Sequence, residues 1–313
     1  MIDDYPEYKK GILFAIGTAL CWAVLAILLK FSLSFSDSYS IVWVRMSIAS
    51  LIIAILIGYK NKKDLLFLFR APKSVYLAAL ALAFNYIGFM MCIDLTTASN
   101  AQIMIQMGPL LLAISGILFF KEFPKGLQIV GFIIASLGFL TFFNDQLQIS
   151  WSNKDQYLRG NAWVLGAAIA WAYFSIVQKI QAKTHSSINL LLVLFFSSAV
   201  IFFPFADFKN LFALKLWQIG LICLLGINSW IAYAFLSEAL KRAPASHVSL
   251  VITLNPLLTI FSIQLLNHWN LLFIKYEPLN LMGYIGTALV IAGVSLTVLT
   301  QKTKTTTPSP VSK

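Results

Sequence analysis

The chain has 313 residues, of which 59% are hydrophobic and only 11% charged, with a formal net charge of +11. Ordinary soluble domains carry about 25% charged residues, and a soluble surface this apolar would aggregate. The composition excludes a soluble globular domain, and the placement of the positive charge speaks of membrane topology rather than of nucleic acid.

The first ten residues, 1–10, are polar and read as a short cytoplasmic tail. Apolar stretches of roughly the 20 residues that span a hydrocarbon core about 30 Å thick then recur along the whole chain. Ten are predicted: 11–33, 38–58, 74–93, 98–119, 126–143, 161–181, 187–205, 216–240, 246–266 and 280–299. None alternates with period two as a barrel strand would. Helices satisfy their own backbone hydrogen bonds in lipid, so the expected fold class is an all-α integral membrane bundle of ten transmembrane helices. The first stretch is longer than a signal-peptide core and lacks a small-residue cleavage pattern, so it reads as a retained helix.

Along these spans the residues that stand out are polar or aromatic. The first carries Trp22 in its middle and Lys30 near its end. The second carries Arg45 about two turns in, where a charge costs about 2.5–3.5 kcal/mol. Two readings of Arg45 are open. It binds an anionic part of a solute, such as a carboxylate, through its planar fork, or it caps carbonyls or snorkels to the interface. The third span has Asn85 and Tyr86; the fourth has Asn100, then Gln102 and Gln106 on one face, then Gly108 and Pro109. The sixth has Trp171 and Lys179, the eighth Asn228, Ser229, Trp230 and Tyr233, and the ninth His247, Ser249, Thr253, Asn255 and Pro256.

The polar residues of the fourth and ninth spans line a central cavity or glue helices together. Mid-span aromatics with a few polar groups suit a cavity for modest-sized, partly apolar solutes, though any one of them also suits packing. The prolines are expected to kink their helices, as gate hinges or to fit a curved bundle. Lys30 and Lys179 either snorkel or form a paired gate. Cys21, Cys92 and Cys223 all lie in apolar spans, without a CxxC pair, and read as packing residues.

The chain repeats itself. Gly11–Lys30 laid over Gly160–Lys179, an offset of 149, gives seven identities in twenty, Trp22/Trp171 and Lys30/Lys179 among them. Ala98–Leu118 aligns with Ala245–Leu265 at an offset of 147, with eight identities in twenty-one including Pro109/Pro256, and the same offset pairs Tyr86 with Tyr233. Glu122, Gly131 and Gly138 match Glu277, Gly286 and Gly293 at an offset of 155. The expected organisation is a first repeat over 11–145, a connecting loop over 146–159, a second repeat over 160–300 and a disordered tail over 301–313. Five spans per half is odd, so the second half is expected upside down, as in many secondary transporters. Counted on ten spans, sixteen Lys and Arg fall on the side of the two ends and six on the other, which favours both ends cytoplasmic.

The Ala-Ser step, Pro109/Pro256, the Glu122/Glu277 starts and the glycine-bearing fifth and tenth spans resemble EamA-type members of the drug/metabolite transporter superfamily, over about residues 10–300. The resemblance implies a ten-helix inverted-repeat carrier of a bacterial inner membrane, usually an exporter of amino acids or other small metabolites. The second half departs from the first by a connection over His268–Tyr276 about eight residues longer than its counterpart.

The expected activity is an exporter or exchanger of small metabolites by alternating access around a central cavity. Its expected partners are a small-molecule substrate and the lipid bilayer, as monomer or homodimer, without nucleic acid, cofactor or metal. A channel-like facilitator is an alternative, because some channels also use inverted repeats. An intramembrane enzyme acting on lipid fits poorly, since His185, His247 and His268 share neither a face nor a motif. No phosphate-binding loop or zinc-spaced cluster occurs. No Asp or Glu falls mid-span, which favours facilitated diffusion or exchange over proton drive.

Overall fold

A computed structural model describes residues 6–122, 126–149, 154–268 and 281–299. The elements of its first half are α1 (Tyr8–Ser32), α2 (Ser38–Lys60), the short α3 (Phe67–Arg70), α4 (Lys73–Leu95), α5 (Ala98–Met104), α6 (Met107–Leu118) and α7 (Leu127–Ile149). The second half has α8 (Lys154–Gln181), α9 (Ser187–Phe202), the short α10 (Phe208–Ala213), α11 (Leu216–Arg242), α12 (Ala245–Ile252), α13 (Asn255–His268) and α14 (Leu281–Leu299). Eight helical segments are long and apolar enough to cross a membrane, and two shorter apolar helices lie within α7 and α14. Among the described residues there is no strand.

These helices are apolar on both faces, as lipid-embedded helices are. On α1, Leu13, Ile16, Leu20 and Val24 are exposed, while Ala15, Ala19, Ala23 and Ala26 are buried. Lipid tails are as apolar as leucine, so small residues and close contact, rather than expulsion of water, hold such helices together. The principal pairings are α7 with α14, α4 with α8, α1 with α11, α2 with α9 and α11, α4 with α9, α6 with α12 and α8, and α1 with α13.

Direction follows from contacts at the helix ends. Gly11, in the first turn of α1, lies against Arg242 and Ala243 at the end of α11. Lys179, in the last turn of α8, donates to the carbonyls of Leu240 and Ala243 at that same end. Lys30, in the last turn of α1, instead donates to Ile93 and Thr96 at the end of α4. Helix α1 therefore starts where α8 finishes, and the two run in opposite directions; α4 and α11 likewise end at opposite faces. Glu7, just ahead of α1, accepts from Arg242 Nε at 2.8 Å, and Lys10, then Arg242, hold its carboxyl below the ordinary range.

Three features differ from the sequence reading. The expected loop over 146–159 is partly helical, because α7 runs to Ile149 and α8 begins at Lys154, with no proline or glycine to stop them before Gly160. The fourth and ninth spans are not kinked but broken, into α5–α6 and α12–α13. The breaks are bridged by tighter i to i+3 bonds: Gln106 N to Ile103 O at 3.1 Å, Gly108 N to Ile105 O at 2.9 Å and Leu254 N to Val251 O at 3.1 Å. Pro109 and Pro256 sit in the first turns of α6 and α13, where a missing N–H costs no helical bond. Third, Glu122, expected at the start of the fifth span, is buried, at 4% exposure. The tail 301–313, Glu277 and residues 269–276 of the longer connection lie outside the described residues.

Candidate functional site: a central cavity around Arg45

A cavity of about 590 Å³, counting the part open to solvent, lies where α1, α2, α4, α8 and α11 meet the two broken helices. Of the residues singled out from the sequence, Trp22, Arg45, Asn85, Tyr86, Gln102, Gln106, Trp171 and Tyr233 line it, and so do Pro109 and Asn255 from the expected hinges. The aliphatic and aromatic walls Leu25, Phe89, Ile105 and Ile252 were not singled out. In a chain this apolar, such residues carry no signal above background.

Arg45 is the charged group of the cavity. It is 2% exposed and donates from Nε and Nη2 to the one hydroxyl of Ser229, at 3.2 and 2.9 Å. Ser229 Oγ in turn donates to Leu225 O at 2.8 Å. The guanidinium carbon stands 5.8 Å from the centre of the Tyr86 ring, a cation–π distance. Among the described residues no carboxylate forms an ion pair with Arg45. A buried cation is costly unless an opposite charge meets it. Here its neighbours are a hydroxyl and aromatic rings, and its fork borders an empty volume.

The aromatic walls are built around Tyr233. Its ring packs edge-on against Trp22 at 5.4 Å, Tyr86 at 5.8 Å and Phe195 at 5.6 Å. Trp22 also meets Trp171 at 5.9 Å. The repeat-matched pairs Trp22/Trp171 and Tyr86/Tyr233 are thus each in ring contact in the cavity wall.

The amides are half committed. Gln102 donates to Trp22 O at 3.0 Å, Gln106 to Gln102 O at 3.2 Å and Asn85 to Ala167 O at 3.0 Å. The buried oxygens Gln106 Oε1 and Asn255 Oδ1 meet no donor. A bound solute with N–H or O–H groups would satisfy them.

The other predicted residues lie elsewhere. Asn228 donates to Cys21 O at 3.1 Å, joining α11 to α1. Ser249 and Thr253 turn back on their own helix, donating to Ser246 O and Leu250 O at 2.9 and 2.6 Å. This is the usual competition of short hydroxyl side chains for nearby carbonyls. Gly108 lets Trp171 and the Ala168 backbone approach α6, and Pro256 begins α13. Lys30 and Lys179 cap helix ends outside the cavity, and Lys179 adds an ion pair with Glu122 at 3.0 Å, both side chains 4% exposed.

Comparison with known proteins agrees with this architecture. The model of the EamA-like transporter family matches residues 9–144 and again 158–299. The chain is 31% identical to the "uncharacterized inner membrane transporter YhbE" of Escherichia coli K12, over 90% of this chain and 89% of that one. It is 32% identical to an "uncharacterized transporter" of Haemophilus influenzae, over 93% and 95%. A protein of known crystal structure superposes with a TM-score of 0.68 at 17% identity, covering 94% of this chain and 98% of the other, which speaks for the fold. A helical chain of membrane-length segments around a central cavity, matched twice over by one transporter model, belongs to the EamA-like transporter family, as a multi-pass inner-membrane member of the drug/metabolite transporter superfamily.

Proposed function

We propose that this protein is a secondary transporter, an exporter or exchanger of small metabolites such as amino acids. It works by alternating access about the Arg45 cavity, between two inverted five-helix halves with both ends cytoplasmic. The observation that carries the substrate reading is Arg45, a buried cation bordering empty space with no carboxylate of its own among the described residues. A solute carboxylate would supply the missing charge as a bidentate partner. The open acceptors Gln106 Oε1 and Asn255 Oδ1 suit a solute amine, and the Trp22, Trp171 and Tyr233 rings suit its apolar body.

Support for the inverted halves comes from the pairings. Exchange α1 with α8, α4 with α11, α5–α6 with α12–α13, α2 with α9 and α7 with α14. The set of principal helix contacts then maps onto itself. Lys30 on Ile93 and Thr96 becomes Lys179 on Leu240 and Ala243, at the offsets 149 and 147 of the sequence repeat. Matched helices that run in opposite directions supply similar gates at the two faces.

The test is a thermal-shift titration of the purified protein in detergent with amino acids, organic acids, nucleosides and polyamines. A ligand that binds the folded state raises its melting temperature by mass action. A zwitterion or carboxylate is expected to shift the native protein and not Arg45→Ala, with Arg45→Lys in between because a point charge lacks the fork. A shift of equal size in Arg45→Ala, or a shift produced by polyamines alone, would overturn the reading.

A further inference from the structure

A second, much smaller cavity, about 180 Å³ counting the part open to solvent, lies towards the Lys179 end of the bundle, walled by α4, α8 and α9. Gln178 and Gln181 flank Lys179 in its lining, Val75 and Leu190 come from the first turns of α4 and α9, and Phe174 and Leu194 close it towards the centre. The central cavity extends from the middle of the bundle towards the opposite end, where Leu25 precedes Lys30 by little more than one turn.

Three observations tie the two cavities together. First, one aromatic contact stands between them: Phe174 lines the small cavity, Tyr233 lines the central one, and their rings pack at 5.7 Å. Second, the sequence repeat relates their walls. At the offset of 149, Phe174 corresponds to Leu25 and Leu194 to Arg45, and both of those line the central cavity. Third, the small cavity holds an uncommitted polar atom. Gln178 is 3% exposed; its amide nitrogen donates to Ser237, while its Oε1 has no partner. An empty packing defect between apolar helices gives no reason to bury such an acceptor.

We propose that this second cavity is the closed far half of the solute route, with Phe174, packed edge-on against Tyr233, as the barrier between the halves. The proposal rests on the alternating-access reading above and adds its path. One state places the Arg45 half open; the opposite state moves Phe174 away from Tyr233 and opens the Gln178 half. The two halves differ in chemistry. Leu194 stands at the position equivalent to Arg45, so a carboxylate meets a cation in one half and only the Gln178 amide in the other. The far half is therefore a place of release rather than of tight binding.

The test uses the full chain with Cys21, Cys92 and Cys223 replaced by alanine and Gln178→Cys added, reconstituted in vesicles. The probe is a membrane-impermeant cationic methanethiosulfonate reagent, so it reads the route whatever the solute. Slow labelling is expected with the reagent on the Arg45 side, from which the route to Gln178→Cys passes Phe174. It should become severalfold faster when Phe174→Ala removes the barrier and be lost when Ala78→Trp fills the cavity. No labelling in either the Gln178→Cys protein or its Phe174→Ala derivative, with both eluting as folded protein, would overturn the route; equal rates in the two would overturn the barrier. Failure of the amino-acid reading would show instead in the thermal-shift titration, with labelling unchanged.

Discussion

Arg45 and Lys179 are both buried cations in lipid-embedded helices, and the structure treats them differently. Lys179 is fully provided for. It pairs with Glu122, donates to two carbonyls at the end of α11 and stands 5.2 Å from the Phe120 ring. Breaking a buried pair from one side leaves an uncompensated charge and costs about 3–5 kcal/mol. Lys179→Met should therefore lower the melting temperature sharply, and adding Glu122→Gln should restore part of it. A single mutant as stable as the parent would contradict a structural role for the pair. Arg45 has only a hydroxyl and ring faces, which is why its partner is sought in the solute. At this scale the sequence was informative wherever polarity is rare: Arg45, Gln102 and Gln106 stand out in an apolar chain. It was silent on orientation. Asn228 and Gln106 are both mid-span amides, yet one reaches a carbonyl of α1 and the other keeps a buried oxygen without a partner. Glu122 read as a helix-end residue because its partner Lys179 comes from the other half of the chain.

Among the helices, α7 and α14 pair most closely. A Cβ at Gly138 would stand 2.6 Å from both the Leu289 Cβ and the Val290 nitrogen, and one at Gly131 2.8 Å from Gly293 O. Gly293 faces the Ala135 backbone in the same way. Such contacts allow the backbones to approach where lipid offers no hydrophobic drive. Gly293→Leu is expected to force the pair apart, at a cost of about 1–3 kcal/mol or more for overpacking. Gly58→Leu, whose Cβ would meet nothing within 4 Å, serves as the neutral control. Equal melting temperatures for the two variants would mean that the α7–α14 contact does not hold the fold. The extent of the helices was largely legible from apolar length. The breaks were not: a proline signals interruption, but whether a helix bends or restarts depends on the turn bonds around residues 105–106 and 253–254.

For the whole molecule, repetition within the sequence carried more than composition. Identities at Gly, Trp, Lys and Pro revealed the repeat, and in the structure the matched pairs Trp22/Trp171 and Tyr86/Tyr233 meet at the centre. Deviations from the repeat are where the chemistry lies. Arg45 has Leu194 as its counterpart and Gln106 has Thr253, so two similar halves enclose one asymmetric cavity. Composition and family could not reveal the second cavity, because its walls are ordinary apolar residues placed by packing.

The most direct test of the account is counterflow in proteoliposomes. Vesicles loaded with the amino acid that stabilises the purified protein are diluted into a trace of the same labelled compound. An alternating-access carrier should accumulate label transiently above the outside concentration, with saturation as the load rises, and Arg45→Ala should abolish the overshoot. Label that enters linearly, without overshoot and regardless of the load, would contradict a carrier and establish a channel.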